Sequence, residues 1–220
     1  MTARRQGYRN KVDTGRGYHE GDAEAPVDLK ERGLTQRDAL LEVCDRAEVW
    51  RSFDGETFAT ILVDDHIEHH ATGSNPFRDW MLGELARGYT VRGRPVSAGE
   101  TAVRDARMAL EAKAHVNRIR LHAPLRVSQS EGAVYIDLGS DDWSVIEATA
   151  EGWRRIPKSP VPIIRRKRTA AFPVPTGKER HARLRQLLAH LPEDDFILFV
   201  AWCLGRTHAA GALSDSHPER

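Results

Sequence analysis

Asp64-Asp65-His66-Ile67-Glu68-His69-His70 is the densest group of metal-ligating side chains in the sequence. Three imidazoles beside carboxylates suit zinc or another divalent ion, and a metal-dependent enzyme built on His66–His70 is one reading of them. Strand geometry weighs against it. On a strand, His66, Glu68 and His70 share one face while His69 points to the other. Such a set extends over roughly 13 Å at about 3.3 Å per residue, too far for one ion without bending. A solvent-facing strand with an ordinary turn accounts for the same residues, so no metal ligand is assigned.

The second chemical feature is a basic strap. From Gly152 to Lys178 the sequence has eight Lys or Arg and no acidic residue. Trp153, Arg154, Arg155, Lys158, Arg165, Arg166, Lys167 and Arg168 form its candidate nucleic-acid surface, with Phe172 as a further flanking aromatic. Guanidinium forks match phosphate oxygens, and aromatic rings on an extended backbone can stack bases of a single strand. A solvated charged surface is the competing reading.

Other constellations carry less. Asp137, Asp141 and Asp142 resemble a carboxylate group for metal-assisted phosphoryl chemistry, but Gly139-Ser140-Asp141-Asp142 reads as a hairpin loop that does not aim the carboxylates together. Trp143, Trp153 and Trp202 read as core anchors. The sequence has no Gly-x-Ser-x-Gly motif, and Gly177-Lys178 lacks the preceding glycine of a phosphate loop. No catalytic residue and no cofactor is assigned.

The elements that position these residues follow from periodicity and turn chemistry. Residues 1–33 read as a glycine-punctuated, disordered tail. Residues 34–116 read as a helix, hairpin and helix subdomain. Thr35 caps a first helix carrying Leu40, Leu41 and Cys44, and strands 49–53 and 57–63 turn at Asp54-Gly55. His66–His70 is a third strand, Asn75-Pro76 opens a helix, and Arg92–Pro95 is a loop. Ser97 with Glu100 marks a capping box for a helix to about Val116. Residues 117–176 read as an antiparallel meander followed by the proline-rich strap, since Pro157, Pro160, Pro162, Pro173 and Pro175 exclude regular structure. Residues 177–206 form a helical pair, the first helix striped by Leu184, Leu187, Leu188 and Leu191. The second, Phe196–Leu204, is apolar nearly all round and demands a cover. Residues 207–220 read as a frayed tail. The fold class is α+β.

Composition is consistent with this. The chain has 220 residues, 40% hydrophobic and 30% charged, with a formal net charge of +1, so bulk charge selects no partner. No apolar run is long enough to span a membrane, and the basic N-terminus lacks the apolar stretch of a secretory signal. Cys44 and Cys203 lie far apart in helical patterns and read as buried thiols. A cytoplasmic location is expected.

One stretch resembles a known family. Ala133–Gly139, Asp142–Thr149 and Gly152-Trp153-Arg154 follow a hydrophobic-Tyr-hydrophobic-Asp-Leu-Gly, Trp, Val-hydrophobic-Glu, Gly-Trp pattern. This resembles the segment before the P-loop ATPase of phage- and mobile-element-encoded primase/helicase-like proteins. The similarity continues through Phe172-Pro173-Val174-Pro175 and Asp194–Leu204, and residues 34–125 follow it more loosely. Where that family continues into its phosphate loop, this sequence reads Gly205-Arg206-Thr207-His208-Ala209-Ala210-Gly211. No ATPase residue carries over, because nothing here supplies the lysine or carboxylate that holds Mg-nucleotide. The resemblance implies a non-catalytic accessory or truncated module of a replication protein. Its expected partners are single-stranded or duplex DNA at the strap and a protein at Phe196–Leu204. A decayed protein without activity is the alternative beside the metal enzyme.

Overall fold

A computed structural model describes residues 25–166, 169–176 and 182–212, the stretch 204–212 as helical backbone only. It contains helices and mainly antiparallel sheets, an α+β fold. Two compact units emerge. One holds the described chain to Leu125 together with Lys158–Arg166, and the other holds Arg126–Pro157 and the described residues beyond 168. The meander strands lie in the second unit, and the strap is divided between the units.

The first unit begins earlier than the sequence suggests. β1 (Val27–Asp28) pairs in parallel with β5 (Tyr89–Val91), and α1 (Leu29–Arg32) follows directly. Residues 27–33 are therefore ordered, contrary to the expected tail. The Asp28 carboxylate accepts from Lys30 N and Arg92 N, both at 2.8 Å, while Gly33 closes the helix at φ +65° and Leu29 is buried. A capped single turn with one core residue is too short to announce itself by periodicity.

α2 (Gln36–Cys44) starts at Thr35 as expected, with reciprocal bonds between Thr35 and Asp38 completing a capping box. β2 (Glu48–Ser52), β3 (Thr57–Val63) and β4 (His66–Ala71) form the expected antiparallel run. α3 (Asn75–Gly88) takes Ser74 as its N-cap, with Pro76 in the first turn. Arg92–Pro95 is more than a loop. Arg92 and Gly93 have φ of 52° and 72° and turn β5 into β6 (Arg94–Pro95). α4 (Glu100–Asn117) begins three residues after Ser97, with Gly99 as a cap that offers no side-chain bond. β7 (Arg120–Leu121), unforeseen because of its length, adds in parallel to β2. α4 packs on α2 and β2, and α2 packs on α3. Their shared core includes Leu40, Val43, Val49, Ile61, Phe77 and Leu85.

The second unit is built on a four-stranded meander in the order β11-β10-β9-β8. The strands are β8 (Val127–Ser130), β9 (Ala133–Asp137), β10 (Val145–Thr149) and β11 (Gly152–Ile156), all antiparallel. Tyr135, Leu138, Val145 and Ile146 are buried. α5 (Ala182–Leu187) has no buried residue; of the expected leucine stripe Leu187 is 75% exposed, while Leu184, Leu188 and Leu191 are half-buried. α6 runs Glu193–Ala212, past the expected end at 206. It touches β8 and buries Phe196, whose ring lies 4.8 Å beneath the Arg185 guanidinium.

Gly139 holds the strap close to this sheet. Its φ is +68°, and a Cβ there would stand 2.7 Å from Ala170 O. Phe172 N donates to Leu138 O at 2.7 Å in the same place. Gly139→Ala should therefore lose about 1–3 kcal/mol by thermal denaturation, combining left-handed strain with a backbone clash. Gly132, at φ +80° with open space around it, is the control. Gly132→Ala should cost about 1 kcal/mol, from strain alone.

Candidate nucleic-acid interface

The strap has no regular element, as its prolines dictate, but it bends at residues 157–158 and 160–161 instead of running extended. Among the described residues from 157 to 176 there is no helix or strand, only an isolated parallel bridge between Leu125 and Ile164. Ile163 is buried, and Ile164 N donates to Pro124 O at 2.8 Å. This anchor fixes the backbone just ahead of Arg165, which is half-buried, and Arg166, which is exposed. Lys158 is also exposed in the first unit, whereas Lys167 and Arg168 lie outside the described residues.

Trp153, Arg154 and Arg155 belong to the second unit, on the edge strand β11. Trp153 is 44% exposed, so it is not the core anchor its hairpin context implied. Trp202 is likewise exposed, which corrects the same expectation there. Alternation puts Trp153 and Arg155 on one face of β11 and Arg154 on the other.

The two arginines differ from the sequence picture of uncompensated charge. Arg154 is ion-paired with Glu147, its cross-strand neighbour, and Glu147 also accepts from Tyr135 OH at 3.2 Å. The Glu147 carboxyl is accordingly held below the ordinary range, chiefly by its bond from Arg154. Arg155 is ion-paired with Asp142, and its Nε donates to Ser144 Oγ at 2.9 Å. Asp142 Oδ1 accepts from Ser140 Oγ at 2.6 Å, Ser144 Oγ at 2.9 Å and Ser144 N at 3.2 Å. These bonds, that from Ser140 first, hold its carboxyl well below the ordinary range. The acidic loop is thus a self-satisfied turn between β9 and β10. Its partners lie outside the strap, which is why composition within 152–178 overstated the local charge.

Phe172 is 51% exposed, but one face of its ring is occupied by the Arg126 guanidinium at 4.1 Å. Arg126 also donates to Ala170 O at 2.7 Å. This arginine, missed as an unremarked strand residue, fastens residues 170–172 of the strap. Its φ of 70° ends the approach to β8, a conformation that no sequence signal marked.

The histidine group divides as strand alternation requires. His66, Glu68 and His70 pair in register with Val63, Ile61 and Ala59, on the face that carries the first unit's core. His66 Nε2 and His70 Nε2 donate to the two Glu68 oxygens at 2.9 and 2.5 Å. Burial pushes the Glu68 carboxyl up, but the bonds from His70 and His66 outweigh it and leave it lowered. His69 is on the other face, 3% exposed, with Nδ1 3.0 Å from Thr60 Oγ1. The strand is therefore not solvent-facing, because both of its sides are largely covered. Among the described residues, no group of three or more His, Cys, Asp or Glu side chains is placed to hold a metal ion.

On α6, Ile197, Leu198 and Trp202 are 55%, 66% and 61% exposed. The apolar helix is thus not enclosed as its composition demanded, and the side chain of Leu204 lies outside the described residues. Among the described residues no helix is long and apolar enough to cross a membrane. Cys44 is buried with Sγ 3.4 Å from Met81 Sδ, and burial pushes its thiol up to about 12, so it is an inert core group.

Compared with family models, curated proteins and solved structures, the chain matches none.

Proposed function

We propose that this protein is a non-catalytic module that contacts nucleic acid through its basic strap, as an accessory part of a mobile-element replication protein of the primase/helicase-like kind. The observation that carries the reading is the run from 157 to 166, free of helix and strand and pinned at Ile163-Ile164, in a stretch of sequence without a carboxylate. Backbone held in this way presents Lys158, Arg165 and Arg166 with little ordering entropy left to lose. Arg154 and Arg155 contribute less than their charge suggests, since Glu147 and Asp142 already neutralise them. Trp153 offers the exposed aromatic surface that base stacking uses. Lys167 and Arg168 extend the same basic sequence.

Phosphate contacts release counterions, so the contribution of each cation is readable as salt dependence. Arg165→Ala, Arg166→Ala and Arg168→Ala together should reduce the slope of log affinity against log salt on single-stranded DNA by about 2. Arg154→Ala should change that slope little. A triple variant with the parent's slope would remove the strap from the interface.

A further inference from the structure

The first unit carries a second concentration of positive charge that sequence inspection does not reveal. Arg51, Ala114, His115, Arg118, Ile119 and Arg120 line a surface recess of about 360 Å³. These residues come from β2, the last turns of α4, its C-cap and β7. No carboxylate lines the recess. Among the described residues, none of Arg51, Arg118 and Arg120 has an ion-pair partner, although Arg46, Arg87 and Arg107 of the same unit each pair with a glutamate.

Two features of this cluster work against stability, and a bound anion would offset the first. Arg51 and Arg120 are direct register partners across the parallel β2–β7 pair, and like charges so placed repel. Arg118 takes φ of 55° as the C-cap of α4, a position where glycine would be unstrained. Favourable interaction with the helix C-terminus explains Arg118. It does not explain Arg51 and Arg120, which stand on strands. The Arg51 guanidinium is further oriented by donating to His115 Nδ1 at 3.0 Å and Gly55 O at 3.1 Å, both neutral acceptors.

We infer that Arg51, Arg118 and Arg120 form an oxyanion site for a phosphate dianion, either free phosphate or the terminal phosphate of a monoester. Three arginines lining one recess bring N–H donors and the charge that such a group needs. His115 acts as a positioning residue for Arg51. The inference stands apart from the strap, which lies elsewhere in the sequence and takes no part in the recess.

The test is calorimetric titration of the full chain with inorganic phosphate at fixed ionic strength, with chloride and dimethyl phosphate as comparison anions. Phosphate should bind, chloride should not, and the singly charged diester should bind at least several-fold more weakly. Arg120→Gln should weaken phosphate about tenfold, the loss expected for a charge-assisted contact. Arg118→Gly separates ligation from folding. It should leave thermal stability in phosphate-free buffer equal or higher, by relieving left-handed strain, while weakening phosphate by a similar factor. Arg165→Ala with Arg166→Ala should leave phosphate affinity unchanged. Equal binding of chloride or dimethyl phosphate, or parental affinity in both recess variants, would overturn the assignment.

Discussion

Trp50→Ala is expected to destabilise the first unit by about 3–5 kcal/mol, the range for removing a fully buried large aromatic. Trp50 has no exposed surface and stacks on Phe58 with ring centroids 4.8 Å apart and planes 18° from parallel. Its Nε1 donates to Thr60 Oγ1 at 3.0 Å, and the same hydroxyl is 3.0 Å from His69 Nδ1. Truncation would therefore open a cavity and remove a donor from a buried polar chain. Trp50→Phe should cost less, because it keeps the stacking surface and loses only the indole donor and part of the volume. Equilibrium denaturant unfolding of the two variants checks this order. A loss below about 1 kcal/mol for alanine would contradict the packing described here.

The second large effect is a dependence of stability on pH through His69. Burial, then the neighbouring His70, lower its pKa to about 3 from the ordinary 6.5. The neutral ring accepts the Thr60 hydroxyl proton at Nδ1, an arrangement that protonation would break. The unfolded chain binds a proton at His69 below about 6.5, while the folded chain refuses it until about 3. The His69 contribution to stability is thus fully present above the unfolded value. It declines as pH falls through that window, by about 1.4 kcal/mol per pH unit. Measurements between pH 5 and 6.5 avoid most of the range in which carboxylates titrate. His69→Gln, whose amide oxygen can take the Thr60 proton, should show a slope shallower by that amount. Parallel slopes in parent and variant would mean that His69 is charged or accessible in the folded protein.

The sequence revealed these features unevenly. Local rules located α2 by its Thr35 capping box, the β2–β3 hairpin by Asp54-Gly55, and the four meander strands by their regular turns. Alternation alone separated His69 from His66, Glu68 and His70. What it could not supply was the partner across space. Glu147 and Asp142 neutralise Arg154 and Arg155 from outside the basic run. Arg51 and Arg120 lie 69 positions apart in the chain and become neighbours only through a two-residue strand, β7. Short elements escape periodicity for the same reason, as β1 and α1 show. Burial was the other blind point: Trp153 and Trp202 have core-like sequence surroundings and are exposed all the same.

The central claim, contact with nucleic acid through the strap, is tested most directly by fluorescence anisotropy. Labelled single-stranded and duplex DNA would be titrated with the full chain at 50 mM and 200 mM salt. Engagement of about five phosphates on a single strand predicts an affinity loss on the order of a hundredfold between the two conditions. Single strands should be preferred, because only their unpaired bases can stack on Trp153. Absence of binding at the lower salt, or an affinity insensitive to salt, would contradict the proposed function.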